Sequence, residues 1–208
     1  MTATREDVVE KYRRYASTYD RRTSLAASLR QRAIGRLQLR RGDVVLDVAC
    51  GTGINFEEIE AGVGEDGRLI GIEISPDMAV QARERVQTNR WKNVLLLESS
   101  AEKAQIPEDV DAILLSFTHD VLRSRSALEN VFRHSNPGVR VAATGSKWAA
   151  WWAFPANAYT WYIARNYVTT FEGFGRPWTL LAEHVPDLQV DSFLLGATYV
   201  AWGKGAAG

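Results

Sequence analysis

Two acids and two glycines carry the first chemical signal in this chain. Asp47 stands within a β-branched run, Val44–Val48. The turn that follows reads Asp47-Val48-Ala49-Cys50-Gly51-Thr52-Gly53. Glycines in such a turn let the backbone approach a ligand closely. The start of a helix after it favours an anion. Glu73 stands 20 residues beyond Gly53, at the end of a second apolar run, Leu69–Ile72. An acid at that place can chelate the two hydroxyls of a ribose.

Two cofactor chemistries use this layout. A dinucleotide turn wants a third small residue, in the pattern GxGxxG/A. Here Phe56 stands at that position, which disfavours a pyrophosphate. Asp47, four residues before Gly51, suits an ammonium group instead. S-adenosylmethionine combines an ammonium, a carboxylate and a ribose.

The elements that must position these residues can be read from periodicity. Residues 5–40 have helical spacing, with Val8, Tyr12, Tyr15 and Tyr19 on one stripe and a polar break at Asp20–Ser24. Strands are expected at Val44–Val48, Leu69–Ile72, Val94–Leu97, Val110–Leu115 and Val139–Thr144. Helices start at Ile54 and at Ser75-Pro76, the latter running to Val86, and another covers Leu122–His134. Leu188–Leu195 and Ala197–Trp202, parted by Gly196, form a closing hairpin. The expected fold is α/β: a Rossmann-like, doubly wound sheet of seven strands, mostly parallel with the last strand antiparallel, behind N-terminal helices. The expected organisation is one domain with a helical cap (1–41), a cofactor-binding core (42–146), an aromatic lid or substrate insertion (147–186) and the hairpin (187–208).

In this order and spacing the motifs resemble class I S-adenosylmethionine-dependent methyltransferases of the ubiquinone/menaquinone-biosynthesis type. The resemblance covers about residues 10–145. Its glycine motif matches Leu46–Gly53, and its ribose motif matches Gly71–Met78. Its adenine segment matches Ser100-Ala101-Glu102 before Ile106-Pro107, with Ser100 where an Asp is frequent. Asn136-Pro137-Gly138 stands where the family enters its fifth strand. Tyr15–Asp20 is similar to the family's lead-in helix, whose tyrosine, here Tyr19, can close over the cofactor. The resemblance implies S-adenosylmethionine as cofactor and S-adenosylhomocysteine as product. It implies contacts from Tyr19, Asp47, Cys50, Gly51, Gly53, Glu73, Ser100, Ala101, Glu102 and Ser116. Ile74 and Met78 either sandwich the adenine or belong to the core. Cys50 reads as a small packing residue of the turn rather than a nucleophile.

The segment Ser116–Asp120 follows the fourth strand, at the expected mouth of the site. His119 is either a general base or a pocket-lining group. Asp120 either attracts a cationic acceptor or caps the next helix. The stretch Trp148–Trp178 holds 11 of the 21 aromatics. Trp148, Trp152, Tyr159 and Tyr162 are its candidate acceptor contacts, and Arg165 and Arg176 flank it. Such rings can hold a planar or cationic acceptor, form core, or meet a membrane interface.

Charge and composition narrow the partners. Lys plus Arg and Asp plus Glu are both 25, so net charge is zero, which disfavours a nucleic-acid binder. The balance is uneven: residues 1–41 carry 11 basic and 4 acidic side chains. A basic cap on an acidic body, or a basic surface for lipid phosphates, both fit. One cysteine and three scattered histidines give no metal site. The N-terminus lacks an apolar signal segment, so a cytoplasmic protein is expected. The expected activity is direct methyl transfer to N, O or C of a small molecule. The alternatives are a lipid amine headgroup as acceptor, with peripheral membrane contact, and a non-methylating relative that only binds the cofactor. A monomer and a homodimer are both compatible with the sequence.

Overall fold

A computed structural model describes residues 24–165, 168 and 170–206. Tyr19, Tyr15 and Asp20 lie outside the described residues. The chain begins with helix α1 (Ser24–Leu37) and continues into β1 (Val44–Val48), α2 (Phe56–Val63) and β2 (Arg68–Glu73). Next come α3 (Pro76–Asn89), β3 (Val94–Glu98), β4 (Val110–Ser116), α4 (His119–Leu122) and α5 (Arg125–Arg133). The remainder is β5 (Ser135–Ser146), α6 (Phe154–Ala164), α7 (Leu181–His184), β6 (Gln189–Phe193) and β7 (Thr198–Lys204).

The seven strands lie in the order β3-β2-β1-β4-β5-β7-β6. β1 pairs in parallel with both β2 and β4, and β7 alone runs antiparallel to its neighbours. The strand order reverses at β1/β4, which opens a crevice at the carboxyl ends of these strands.

Alternation along each strand feeds two cores. Val45, Leu69, Ala112 and Leu114 face one side, under Leu29, Ala33, Ile34 and Leu37 of α1 and Phe56, Ile59 and Val63 of α2. Leu46, Ile70, Ile113 and Leu115 face the other, under Leu128 and Val131 of α5. The sheet is therefore buried on both faces, as its near-continuous apolar strands require.

The stretch expected as one helix over Leu122–His134 is two. Ser124 interrupts it in an extended conformation and caps α5, its hydroxyl accepting from the Ala127 N–H at 3.2 Å. A cap residue that bonds its own backbone competes with helix continuation.

The basic lead-in segment is docked on the body as far as it is described. Arg36 meets Asp191 at 3.0 Å and lies 3.7 Å over the Trp202 ring. Arg32 lies over Phe193 at 5.2 Å. Exposed pairs of this kind contribute little singly, but together they orient α1 across the β6–β7 edge.

Candidate functional site

The crevice between β1, β2 and β4 is an open cleft of about 720 Å³, counting solvent at its mouth. Its floor is the turn after β1. Gly51 (φ +60°) faces the cleft, and a Cβ there would meet the Met78 sulfur at 3.7 Å. Gly53 (φ +73°) turns the chain into α2 so closely that a Cβ would stand 2.8 Å from the Phe56 ring. Two non-glycine residues lining the cleft also hold left-handed backbone: Ala49 (φ +53°) after β1 and Phe117 (φ +58°) after β4. Strain at two strand ends on one cleft is a common mark of a functional site.

Glu73 ends β2 with its carboxylate pulled under the glycine turn. One oxygen accepts from the Gly51 N–H at 2.8 Å and the other from the Ser75 N–H at 2.7 Å. Burial raises its pKa, while those two backbone donors hold it back. Ser75 and Pro76 then start α3, with Pro at a first-turn position where its missing N–H is harmless.

Asp47 is fully buried below the cleft. One carboxylate oxygen accepts from the Asn55 amide at 3.2 Å, and the other has no partner. Burial pushes its pKa up to about 7. The Asn55 bond opposes that, the Glu73 charge adds to it, and the Arg30 guanidinium again opposes it. Arg30 comes from α1, is 6% exposed and lines the cleft. The Asn55 carbonyl and the Thr118 hydroxyl, on residues that line the same cleft, are likewise buried without a partner. Buried polar atoms are nearly always satisfied. A cluster of three orphans around one cavity fits a polar ligand.

The residues picked from sequence separate into three groups. Cys50, Gly51, Glu73, Ile74, Met78, Ser116 and Asp120 line the cleft, and Asp47 and Gly53 shape its floor. Met78 is also 2% exposed, so its packing and lining roles coincide. Burial holds the Cys50 thiol protonated, in keeping with a packing residue. Ser100, Ala101 and Glu102 lie off the lining. Asn130 donates to the Ala101 carbonyl at 2.9 Å, and Glu102 accepts from Ser124 at 2.8 Å, so this loop is tied to α5.

His119 stands between two lining residues, Thr118 and Asp120. Its ring meets Phe174 edge-on at 5.0 Å. Both ring nitrogens are buried without a hydrogen bond of sound geometry, although the Thr170 and Glu172 backbone lies beside them. Burial lowers its pKa below the ordinary imidazole value. Trp148 packs on Phe174 (5.1 Å) and Phe171 (5.2 Å), which extends this aromatic wall. Trp152, Tyr159 and Tyr162 are 61%, 63% and 58% exposed and do not line the cleft.

Sequence reasoning missed Arg30, Asn55 and Thr118. Asn55 carried a usable signal, a polar residue at the helix entry after the glycine turn. Arg30 carried none beyond the basic count of its segment.

A Methyltransferase domain family model matches residues 45–138. A demethylmenaquinone methyltransferase of Listeria welshimeri is 27% identical over 173 residues, covering 78% of this chain and 73% of the relative. A ubiquinone/menaquinone biosynthesis C-methyltransferase of Salmonella arizonae is 34% identical over 106 residues, 50% of this chain and 42% of the relative. The fold is shared with the N-methyltransferase NodS of Bradyrhizobium japonicum, solved with S-adenosylhomocysteine. The TM-score is 0.69 at 18% identity, covering 95% of this chain and 98% of that one. The sheet order, the acid–glycine turn with its ribose-type acid, and these relatives agree: residues 45–138 match a methyltransferase domain, and together they support a class I S-adenosylmethionine-dependent methyltransferase whose sequence likeness is to the ubiquinone/menaquinone type.

Proposed function

We propose that this enzyme methylates a ring carbon of a small, apolar, quinol-type acceptor. The observation that carries the reading is the wall formed by His119, Phe174, Trp148 and Phe171 beside the cleft. A planar ring can stack there. The names of the two sequence relatives, both quinone-type methyltransferases, support the same acceptor class. Residues 147–186 then serve as the acceptor side of the site, residues 42–146 as the cofactor core and α1 as a cap.

The cofactor assignment follows the donor set. Glu73 takes the ribose hydroxyls with the lone pairs its backbone bonds leave. Asp47 and Asn55 take the ammonium and Arg30 the carboxylate. Ile74 and Met78 flank the adenine. Bound there, S-adenosylmethionine supplies an electrophilic methyl group that is transferred by direct displacement, leaving neutral S-adenosylhomocysteine. The protein aligns the two reactants and keeps water out. Burial favours the neutral form of His119, which takes the proton that the acceptor sheds.

Glu73→Ala is expected to weaken S-adenosylmethionine binding by roughly 1–3 kcal/mol, the cost of unmade hydroxyl bonds. Calorimetry reads this directly, and unchanged affinity would move the ribose elsewhere.

The acceptor is tested by incubating the enzyme with methyl-labelled cofactor and a reduced, short-chain demethylated quinone, beside amine and phenol acceptors. A C-methylated quinol is expected. Label found only on the amine or the phenol oxygen would refute the ring-carbon assignment. His119→Ala should lower kcat about 100-fold with cofactor affinity unchanged. It should also remove the acid limb of the kcat profile at saturating cofactor, because protonating His119, whose pKa burial holds below the ordinary imidazole value, stops the wild-type enzyme.

A further inference from the structure

Helix α6 is built inside out. Among the described side chains, its inward positions are small: Thr160 and Ala164 are buried, as is Ala153 just before it. Its outward positions are large and aromatic: Phe154 is 75% exposed, Tyr159 63%, Tyr162 58% and Trp161 48%. The turn before it adds Trp151 at 90% and Trp152 at 61%. A surface helix normally turns its bulky apolar side chains inward. The Asn157 side chain ties the helix to the turn before it, accepting from the Ala149 N–H at 2.8 Å and donating to the Ala150 carbonyl at 3.3 Å. Leu194 and Leu195 are also exposed, and their turn abuts Ala149 and Ala150 through Gly196. Among the described residues, Val80 is the one exposed large hydrophobic outside this region.

The charge on this face is one-sided. From Lys147 to Phe171 the sequence has no Asp or Glu. Lys147 stands at the head of the stretch, and the Arg165 guanidinium lies 4.9 Å over Trp161 and 4.7 Å over Tyr162. Trp and Tyr, backed by cations, are the residues that settle at headgroup depth. A second copy is a poorer occupant, since a two-fold contact would set these cations against each other. Among the described residues no helix is long and apolar enough to cross a membrane.

We propose that Trp151, Trp152 and the outer face of α6 form a docking surface for an anionic lipid bilayer. The aromatic edge enters the headgroup layer, and Lys147 and Arg165 meet lipid phosphates. The site stands whatever the acceptor is. It is close in the chain to the aromatic cluster beside the cleft, since Trp148, packed on Phe174, lies three residues before Trp151.

The test is vesicle flotation of the full chain. The vesicles are phosphatidylcholine alone or phosphatidylcholine with phosphatidylglycerol. Co-flotation with the anionic vesicles, weakened by salt, is expected. Trp151→Ser/Trp152→Ser/Phe154→Ser should weaken it at least about tenfold, with S-adenosylmethionine affinity unchanged and Val80→Ser serving as a neutral control. As a gentler variant, Trp151→Phe/Trp152→Phe should lose most of the fluorescence quenching that brominated phosphatidylglycerol causes in the wild type. No flotation by a wild-type protein that binds its cofactor overturns the proposal. So does flotation that the triple variant leaves intact. Dimerisation of the wild type, lost in the triple variant and without flotation, would hand the face to a second copy.

Discussion

Asp47→Asn should make the free enzyme more stable and nearly abolish cofactor binding. Both effects come from one buried carboxylate. Burial lifts its pKa from 3.8 to about 7, so the fold disfavours its charge. The sign follows. The charged form costs stability as pH rises from about 4, and the cost is complete above about pH 7. A lift of that size costs up to about 4 kcal/mol at neutral pH, and water entering the open cleft returns part of it. A gain of about 2 kcal/mol for the variant, roughly 4–8 °C in Tm, is expected. The two proteins should converge near pH 4. Asn55 can accept the change, because its unpaired carbonyl can receive the new amide. Binding moves the other way. Removing the carboxylate from a buried ammonium costs about 3–5 kcal/mol, a 100-fold loss or more. The wild type should also release a proton on binding, about three quarters of one at pH 6.5. Calorimetry in two buffers of different ionisation enthalpy measures this, and the variant should release none through this site. A variant that binds normally would remove Asp47 from the ammonium.

The parts of this molecule legible in the sequence are those set by neighbours in the chain. The β-branched runs became β1 to β5, and the acid–glycine turn closed on Glu73 because strand length and turn geometry leave it few other places. The misreadings share a different cause. The Ser124 break was written in a cap-forming residue, Ser124, but apolar periodicity over Leu122–His134 masked it. Trp152, Tyr159 and Tyr162 belong to a run that is apolar on nearly every face, so periodicity could not say which side turns inward. In the fold the small side chains of Ala153, Thr160 and Ala164 turn against the body and the rings turn outward. Ser100–Glu102 sit close to their expected place in the chain, yet α5 draws them off the cleft lining through Asn130 and Ser124.

Arg30 shows the same limit most sharply, and it carries the second large expected effect. In sequence it is one of the arginines of a basic helix, next to the buried stripe Leu29, Ala33, Ile34 and Leu37. In the fold that stripe lies on the sheet, and Arg30 is carried to the cleft edge within reach of the Asp47 field. Arg30→Met keeps the apolar stem and removes the charge. S-adenosylmethionine affinity should fall roughly 10–100-fold, the range for a lost charge-assisted bond. 5′-Methylthioadenosine, which lacks the amino-acid end, should bind Arg30→Met and Asp47→Asn as it binds the wild type. Glu73→Ala should weaken both ligands, because both carry the ribose. Removing Arg30 also removes a charge that holds the Asp47 pKa down, so the pH at which binding is half lost should move upward. The double variant should lose less than the sum of the two single losses, as expected for groups that share one zwitterion and one field. Equal weakening of both ligands by Arg30→Met would instead place its guanidinium in the architecture of the cap rather than on the cofactor's carboxylate.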